Sequence, residues 1–435
     1  MLDSAAVLPK FRVDKGLLDN GLRVVTVSLP HLHSATLVMY AKVGSRYETP
    51  ADNGLSHFLE HMLFRGTKAH PSSYQLNYAI EELGGTLHAE TGRDYSLYQI
   101  GLLPELVGEG VAIFGELLGA PKLQQIDLER QIILEEISED LDERGRDLNL
   151  DDRTRATMFP EHGLGQKITG PRDNVKRFSA ADVRRHLKRF YGAKNLVFCV
   201  SGRVNHADVM AAAEQALASL PSGRAAHTEP PAPLADGPHH LYVAAPGAQT
   251  QLAILFRALP EADPDYMALQ MLSRVLDDGM STRLHYTLCD QKGLAYSVQG
   301  GIEPFHDTAI FEVLGAASHA KFAQLTEEAL ALLDGFRQEK VATKELEKAR
   351  RRYRADLMSM FDEPDSMAGW FGGTELFYEP QSFAQRAARM DAVTADDVLR
   401  VAQRVIRKDR LVVGAAGALT KTQRAKYERV IERWS

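Results

Sequence analysis

The 435-residue sequence is poor in cysteine, with Cys199 and Cys289 in separate halves of the chain. Two isolated thiols exclude a small secreted domain stabilised by several disulfides, and they exclude a cysteine-rich metal site. No apolar run is long enough to span a membrane. The first ten residues lack a basic segment followed by an apolar core, so we expect no secretion signal and a cytoplasmic protein. The net charge of −7 is mild and gives no reason to expect nucleic acid or a membrane surface as partner.

What the sequence does contain is an H-x-x-E-H stretch, with His57, Glu60 and His61 inside an apolar segment. Its apolar residues recur at helical spacing, which predicts a half-buried helix. His57 and His61 then share one face and can bind one metal ion, while Glu60 lies beside that face within reach of a water molecule. The alternative is an amphipathic helix with histidines at its polar edge. A third ligand elsewhere decides between them.

A second predicted helix, from Asp127 to about Arg144, is rich in carboxylates. Its residues at helical spacing on one side are Glu129, Ile132, Ile133, Glu136 and Asp140. A carboxylate on a buried face needs a partner, because an unpaired buried charge is costly. A metal ion is one such partner and would complete a site of two histidines and one glutamate.

The second half of the chain repeats the first. Residues 179–202 match residues 394–417 at a constant offset of 215, which indicates duplication. Similar offsets place Gln270, Ser273, Arg274 and Arg354 opposite His57, Glu60, His61 and Glu136. The metal site therefore belongs to the first half alone, and the second half is a wall, a substrate binder or a subunit interface.

Length and composition predict more than one domain, since 435 residues exceed a single compact core. The proline-containing stretch before residue 239 has no periodicity and is typical of a linker. We therefore expect an N-terminal catalytic domain over residues 1–222 and a linker over 223–238. A homologous C-terminal domain without a metal site would cover 239–435.

Together these segments resemble the pitrilysin/insulinase group of metallopeptidases, the inverzincins, in the branch close to the mitochondrial processing peptidase and its bacterial homologues. The resemblance is carried by residues 54–67, 84–98, 128–139, 162–170 and 293–298. It implies an α+β fold of two homologous domains, each a mainly antiparallel sheet with helices on one face. It also implies that Glu136, 75 residues after His61, is the third metal ligand and that Glu129 supports the site from behind. The neighbouring Glu135 lies about a hundred degrees off that face.

The function implied by the resemblance is zinc-dependent endoproteolysis. Zn²⁺ held by His57, His61 and Glu136 would catalyse the hydrolysis of peptides or unfolded polypeptide segments inside a clamshell chamber, with Glu60 as general base. Co²⁺ or Mn²⁺ would also bind such a ligand set. Two rivals stay open at this point: a non-catalytic scaffold or interaction subunit of the same family, and a metal-storage or metal-sensing protein.

Two positions depart from the family pattern. An arginine that, with a tyrosine, reaches the partner chain's zinc site is replaced by Cys289, whereas the tyrosine is kept as Tyr296. This predicts a heterodimer with a homologous subunit that supplies the Arg/Tyr pair, with a homodimer as the alternative. The second departure is His88 in place of asparagine on an edge strand that pairs with the substrate backbone.

Overall fold

The computed structural model describes residues 10–234 and 237–434. The prediction about a secretion signal concerns residues outside these ranges, apart from Lys10, and stays a prediction. Within the described ranges, no helix is both long and apolar enough to cross a membrane.

Strands and helices alternate irregularly along the chain, as in an α+β protein. The strands of the described ranges are β1 (Arg12–Leu17), β2 (Arg23–Ser28), β3 (Ala35–Ala41), β4 (Leu87–Thr91), β5 (Ser96–Leu102), β6 (Leu196–Gly202), β7 (His239–Ala244), β8 (Gln249–Ala258), β9 (Val298–Pro304), β10 (Ala309–Ser318) and β11 (Leu411–Gly417). The helices are α1 (Leu55–Leu63), α2 (Ser73–Glu82), α3 (Val107–Gly119), α4 (Ile126–Glu139), α5 (Leu150–Met158), α6 (Arg172–Arg177), α7 (Ala180–Phe190), α8 (His206–Leu217), α9 (Tyr266–Leu276), α10 (Arg283–His285), α11 (Phe322–Gln338), α12 (Thr343–Ser359), α13 (Pro364–Ala368), α14 (Phe383–Ala392), α15 (Ala395–Val405) and α16 (Lys421–Arg433).

The chain forms two compact units, each with one sheet. The first unit contains residues up to 137, 166–228 and 355–381, and the second contains residues 138–165, 229–354 and those from 382 on. Each predicted domain is one continuous stretch of chain. In the structure, the segment 138–165 belongs to the second unit and the segment 355–381 belongs to the first. Helix α5 illustrates the reason: Leu150 and Met158 belong to the apolar core of the second unit, because burying them there removes them from water.

The sheet of the first unit has the strand order β1-β2-β6-β3-β5-β4. Only the β2–β6 pairing is parallel, and the others are antiparallel. The central strands β3 and β6 are buried at every residue, which explains their nearly continuous apolar sequences. Strand β4 forms one edge of this sheet and pairs with β5 alone.

The sheet of the second unit has the order β7-β11-β8-β10-β9, again with a single parallel pairing, between β7 and β11. Two mainly antiparallel sheets with packed helices confirm the predicted fold class. The 215-residue repeat is also visible in local structure. Capping boxes of Ser179 with Asp182 and of Thr394 with Asp397 begin α7 and α15, and β6 and β11 follow at the same offset.

Candidate metal centre

Helix α1 carries both histidines of the H-x-x-E-H stretch. Its apolar side chains are buried at the helical spacing that the sequence predicts: Leu55, Phe58, Leu59, Met62 and Leu63. Gly54 precedes the helix with φ of 103°. A Cβ there would lie 2.7 Å from the carbonyl oxygen of Thr169, so both backbone conformation and space require glycine.

The first turn of α1 is capped by a residue that sequence reasoning missed. The buried carboxylate of Glu48 accepts hydrogen bonds from the backbone N–H groups of Gly54, at 2.9 Å, and Ser56, at 2.6 Å. Asn53 Nδ2 donates a third, at 3.0 Å. Burial raises the pKa of Glu48, although these bonds oppose the shift. Glu48 thus provides the side-chain cap that Gly54 lacks, at the start of the turn that carries His57.

The structure brings together the three residues predicted as metal ligands. His57 Nε2 lies 3.5 Å from Glu136 Oε1, and His61 Nε2 lies 3.7 Å from Glu136 Oε2. One ligand atom from each residue lies within 4.8 Å of the others. In a tetrahedral zinc site with bonds of about 2.0–2.1 Å, ligand atoms are about 3.3–3.4 Å apart. The three side chains therefore offer the donor types of a zinc site, and their ligand atoms would move closer together than 4.8 Å to bind one ion.

Burial and neighbouring charges shift the pKa values of the two histidines in opposite directions. Burial, with the nearby His61, lowers the pKa of His57 to about 3, so that imidazole is neutral at physiological pH. Its Nδ1 is buried without a hydrogen-bond partner in the described ranges. Burial alone would lower the pKa of His61 as well, but the hydrogen bond to Glu129 and the negative charges of Glu129, Glu60 and Glu136 together raise that pKa. Neutral imidazole nitrogen is the form that binds zinc.

Glu129 lies directly behind His61 and is 2% exposed. Its Oε1 accepts a hydrogen bond from His61 Nδ1 at 2.9 Å, and its Oε2 accepts one from Arg65 Nε. Burial pushes the pKa of Glu129 up, but these two bonds bring it below its ordinary value. An ionised acceptor fixes the proton on Nδ1 and leaves Nε2 of His61 free to face Glu136. Arg65 was not foreseen from the sequence.

Helix α4 differs from its prediction in two respects. Ile133 and Ile137 are buried, but Ile132 is 41% exposed and the Glu136 side chain 42% exposed. The argument that a buried carboxylate needs a partner therefore applies to Glu129 and not to Glu136. The helix also ends at Glu139 instead of about Arg144, because the Asp142 carboxylate accepts the backbone N–H groups of the next turn.

Glu60 stands beside the three candidate ligands and is half-buried. Its Oε2 accepts a hydrogen bond of 2.5 Å from the hydroxyl of Thr91, at the end of the edge strand β4. Burial raises the pKa of Glu60, and the bond from Thr91 partly offsets this. A cavity of about 270 Å³ next to it is lined by Glu60, His61, Phe64, Arg65, Ser73 and Glu129. A carboxylate of raised pKa beside a cavity that can hold water is suited to proton transfer.

The residues that depart from the family pattern are accessible. His88 is exposed on the edge strand β4 and is not among the grouped ligands. In the second unit, Tyr296 is 93% exposed. Cys289 is partly buried, and burial raises the pKa of its thiol, so the residue is a neutral thiol at physiological pH.

Comparison with known proteins identifies the family. Residues 23–172 match the domain described as Insulinase (Peptidase family M16), and residues 177–353 match the Peptidase M16 inactive domain. The chain belongs to the M16 peptidase family. The resemblance stated from the sequence is thereby confirmed. The two matches also agree with a metal centre in the first half alone.

The relatives of this M16 peptidase include proteins named as proteases or as a processing-peptidase subunit. An uncharacterized zinc protease of Streptomyces coelicolor is 30% identical over 406 residues, 91% of this chain and 87% of that protein. The beta subunit of the mitochondrial-processing peptidase of Blastocladiella emersonii is 39% identical over 218 residues, 50% of this chain and 46% of that protein. A protease structure from Helicobacter pylori has a TM-score of 0.85 at 23% identity, covering 94% of this chain and 99% of that one. By family and by its candidate zinc site, the chain is a zinc metallopeptidase.

Proposed function

We propose that this M16 peptidase is an endopeptidase that holds one Zn²⁺ per chain and hydrolyses peptides or unfolded polypeptide segments. The observation that carries the proposal is the convergence of His57, His61 and Glu136, with ligand atoms within 4.8 Å of one another and Glu60 beside them. Two imidazoles and one carboxylate form a common catalytic zinc set that keeps a position open. When bound, zinc supplies a Lewis acid that polarises the peptide carbonyl and acidifies water.

The residues of the chain then have separate tasks. Glu60 takes a proton from the attacking water at its carboxylate and passes it to the nitrogen of the leaving amine. Thr91 holds the other carboxylate oxygen through its 2.5 Å hydrogen bond, so the free oxygen faces the reacting groups. Glu129 and Arg65 keep His61 in one tautomer and orientation.

The substrate is proposed to bind as an extended strand. Strand β4 has one free edge and ends at Thr91, the residue that holds Glu60. Backbone pairing at a sheet edge positions a peptide with little dependence on its sequence, so the exposed His88 does not prevent it. A clamshell chamber, as in the resemblance above, would restrict substrates to short or unfolded chains.

The partner proposed for this chain is a homologous subunit that supplies an arginine and a tyrosine. Cys289 stands at the arginine position, and a neutral thiol cannot replace the charge-assisted hydrogen bonds of a guanidinium. A homodimer is the alternative. Purification under native conditions tests this: we expect a second homologous chain to co-purify and to raise the low activity of this chain alone. Full activity of the isolated chain would refute the heterodimer. The cytoplasmic location stays a prediction.

The catalytic proposal itself is tested by zinc analysis together with cleavage of an internally quenched peptide, in the presence of any co-purifying subunit. We expect one zinc per chain and cleavage within the peptide, both lost in His57→Ala. A protein that keeps zinc and the partner but cleaves no peptide would be the scaffold subunit. Zinc binding without either partner or cleavage would indicate storage or sensing.

A further inference from the structure

The second unit has a pocket that includes one residue, Arg274, at a position that corresponds by the sequence repeat to the metal centre of the first. Helices α9 and α12 occupy the places of α1 and α4 in that repeat. Ser273 and Arg274 replace Glu60 and His61. Arg354, opposite Glu136, forms an ion pair with Asp391 and does not line the pocket. What lines it instead is a set of cations.

Three cations lie along one face of α12. Lys344, Lys348 and Arg352 are spaced four residues apart, so their side chains follow one another on successive turns. Arg274 faces them from α9, and the four line a cavity of about 300 Å³ together with Glu345, Ser281 and Thr282. Like charges at this spacing destabilise a helix unless a counter-charge lies between them.

The carboxylates near this cavity are already engaged. Asp278 Oδ2 lies 2.9 Å from nitrogens of both Arg274 and Arg352. Glu345 accepts two hydrogen bonds from Arg283, at 2.7 and 2.6 Å. Arg283 does not line the cavity, so its four lining cations stand against these two acids, which leaves an excess of two positive charges.

The two lysines carry most of that excess. Lys348 Nζ donates to the hydroxyl of Ser281 at 2.6 Å. The pKa of Glu345 is lowered by its hydrogen bond with Arg283 and, to a smaller extent, by the charge of Lys348. Within the described ranges, no ion pair of Lys344 or Lys348 with a carboxylate is found at 4.0 Å or less. The pocket therefore offers a ligand two ammonium groups, the guanidinium groups held by Asp278 and the hydroxyl proton of Ser281, whereas the hydroxyl of Thr282 donates to the carbonyl of Gly279.

We propose that this pocket binds a divalent oxyanion, a phosphate group either free or carried on a peptide. Guanidinium groups bind such oxygens as pairs of parallel hydrogen bonds, and lysines add point charges. The anion would supply the counter-charge that the α12 face lacks. The duplicated unit has thus exchanged a cation site built from histidine and glutamate for an anion site built from arginine and lysine.

Isothermal titration calorimetry with inorganic phosphate tests the proposal. Sulfate serves as a second probe because it binds zinc weakly and so reports less on the metal centre. The variant Lys344→Gln/Lys348→Gln removes two cations and leaves the Asp278 pairs intact. Its matched control is Arg351→Gln/Lys421→Gln, which removes the same charge at exposed positions outside the pocket. We expect saturable binding in low salt, weakened about tenfold in the first variant and within about twofold of wild type in the control.

Three results would overturn the proposal: no saturable binding to wild type, equal affinity in the pocket variant, or loss of binding in His57→Ala, which would place the anion at the metal centre. If the double variant does not fold, Lys344→Gln alone, at an exposed position, tests the same point and should weaken phosphate binding by a smaller factor. A phosphoserine tripeptide separates the sources: equal affinity indicates a free anion, and tighter binding indicates a peptide-borne phosphate.

Discussion

Glu129 accepts a hydrogen bond of 2.9 Å from His61, one of the two histidines that face Glu136. Glu129 is buried, whereas the candidate ligand Glu136 is exposed. The buried carboxylate of Glu129 thus orients the candidate ligand His61, whereas the exposed carboxylate of Glu136 is a candidate ligand itself. This arrangement leads to the first prediction.

We expect Glu129→Gln to weaken zinc binding by about 10–100-fold, the usual cost of losing such an orienting partner. The amide can still accept from His61, but it lacks the charge that fixes the proton on Nδ1. Competition with a chromophoric chelator measures the affinity. The exposed Glu135 on the same helix provides the control, and Glu135→Gln should bind zinc as wild type does. Equal affinities of the two variants would show that Glu129 does not act through His61.

Glu48 is expected to stabilise the first turn of α1. Glu48→Ala leaves the N–H groups of Gly54 and Ser56 without their acceptor and should cost about 1–3 kcal/mol. Glu48→Gln keeps an acceptor oxygen and should lose less. Thermal denaturation of the metal-free proteins compares them, with zinc affinity as a second readout because His57 follows in the same turn. An unchanged midpoint in Glu48→Ala would contradict the capping role.

Thr91 is expected to act on turnover through Glu60. Thr91→Val keeps the shape and removes the hydroxyl that donates to Glu60, so kcat should fall by about tenfold while zinc content is unchanged. Thr91→Ser retains a donor and should recover most of kcat. A fall of equal size in both variants would mean that the methyl group of Thr91 matters and the hydrogen bond does not.

The pH dependence of stability should carry the signature of His186. This buried residue has its Nε2 3.1 Å from the hydroxyl of Ser56, and burial lowers its pKa to about 3. Between the unfolded pKa of about 6.5 and that value, the unfolded chain binds a proton that the folded chain does not. Stability is therefore fully present above pH 6.5 and falls with acidification by up to about 1.4 kcal/mol per pH unit.

The thermal midpoints of wild type and His186→Gln between pH 7.5 and 4.5 test this point. The wild-type midpoint should decline more steeply, since glutamine does not titrate. His57, whose pKa is lowered as well, is present in both proteins, and its contribution cancels in the comparison. Parallel declines would mean that His186 becomes protonated in the folded protein.

Much of the site could be predicted because its signals are local or repeat at fixed distances. Helical spacing placed His57 and His61 on one face, and the repeat placed an unliganded counterpart in the second half. Glu48, Arg65 and Thr91 could not be found in this way. Their roles depend on contacts between elements, as when the end of β4 reaches Glu60, 31 residues earlier in the chain. The sequence around an isolated glutamate or threonine does not show whether its side chain contacts another element or faces solvent.

Two differences between the sequence-based expectations and the structure have physical causes of the same kind. Burial of α4 was inferred from a run of apolar residues, but Ile132 is exposed on the side where Glu136 faces the candidate centre. The segment 138–165 was assigned to the first domain by sequence order. It belongs to the second unit because the apolar side chains of α5 pack into that core. Sequence order fixes neighbours along the chain, whereas burial decides which core a helix joins.

The central claim is that Glu60 transfers the proton at a zinc centre formed by His57, His61 and Glu136. The most direct test measures zinc content and peptide cleavage of wild type and Glu60→Gln in the same preparations, with any co-purifying subunit present. We predict one zinc per chain in both proteins and a turnover at least about 10²-fold lower in the variant. Undiminished cleavage by zinc-loaded Glu60→Gln would contradict the account.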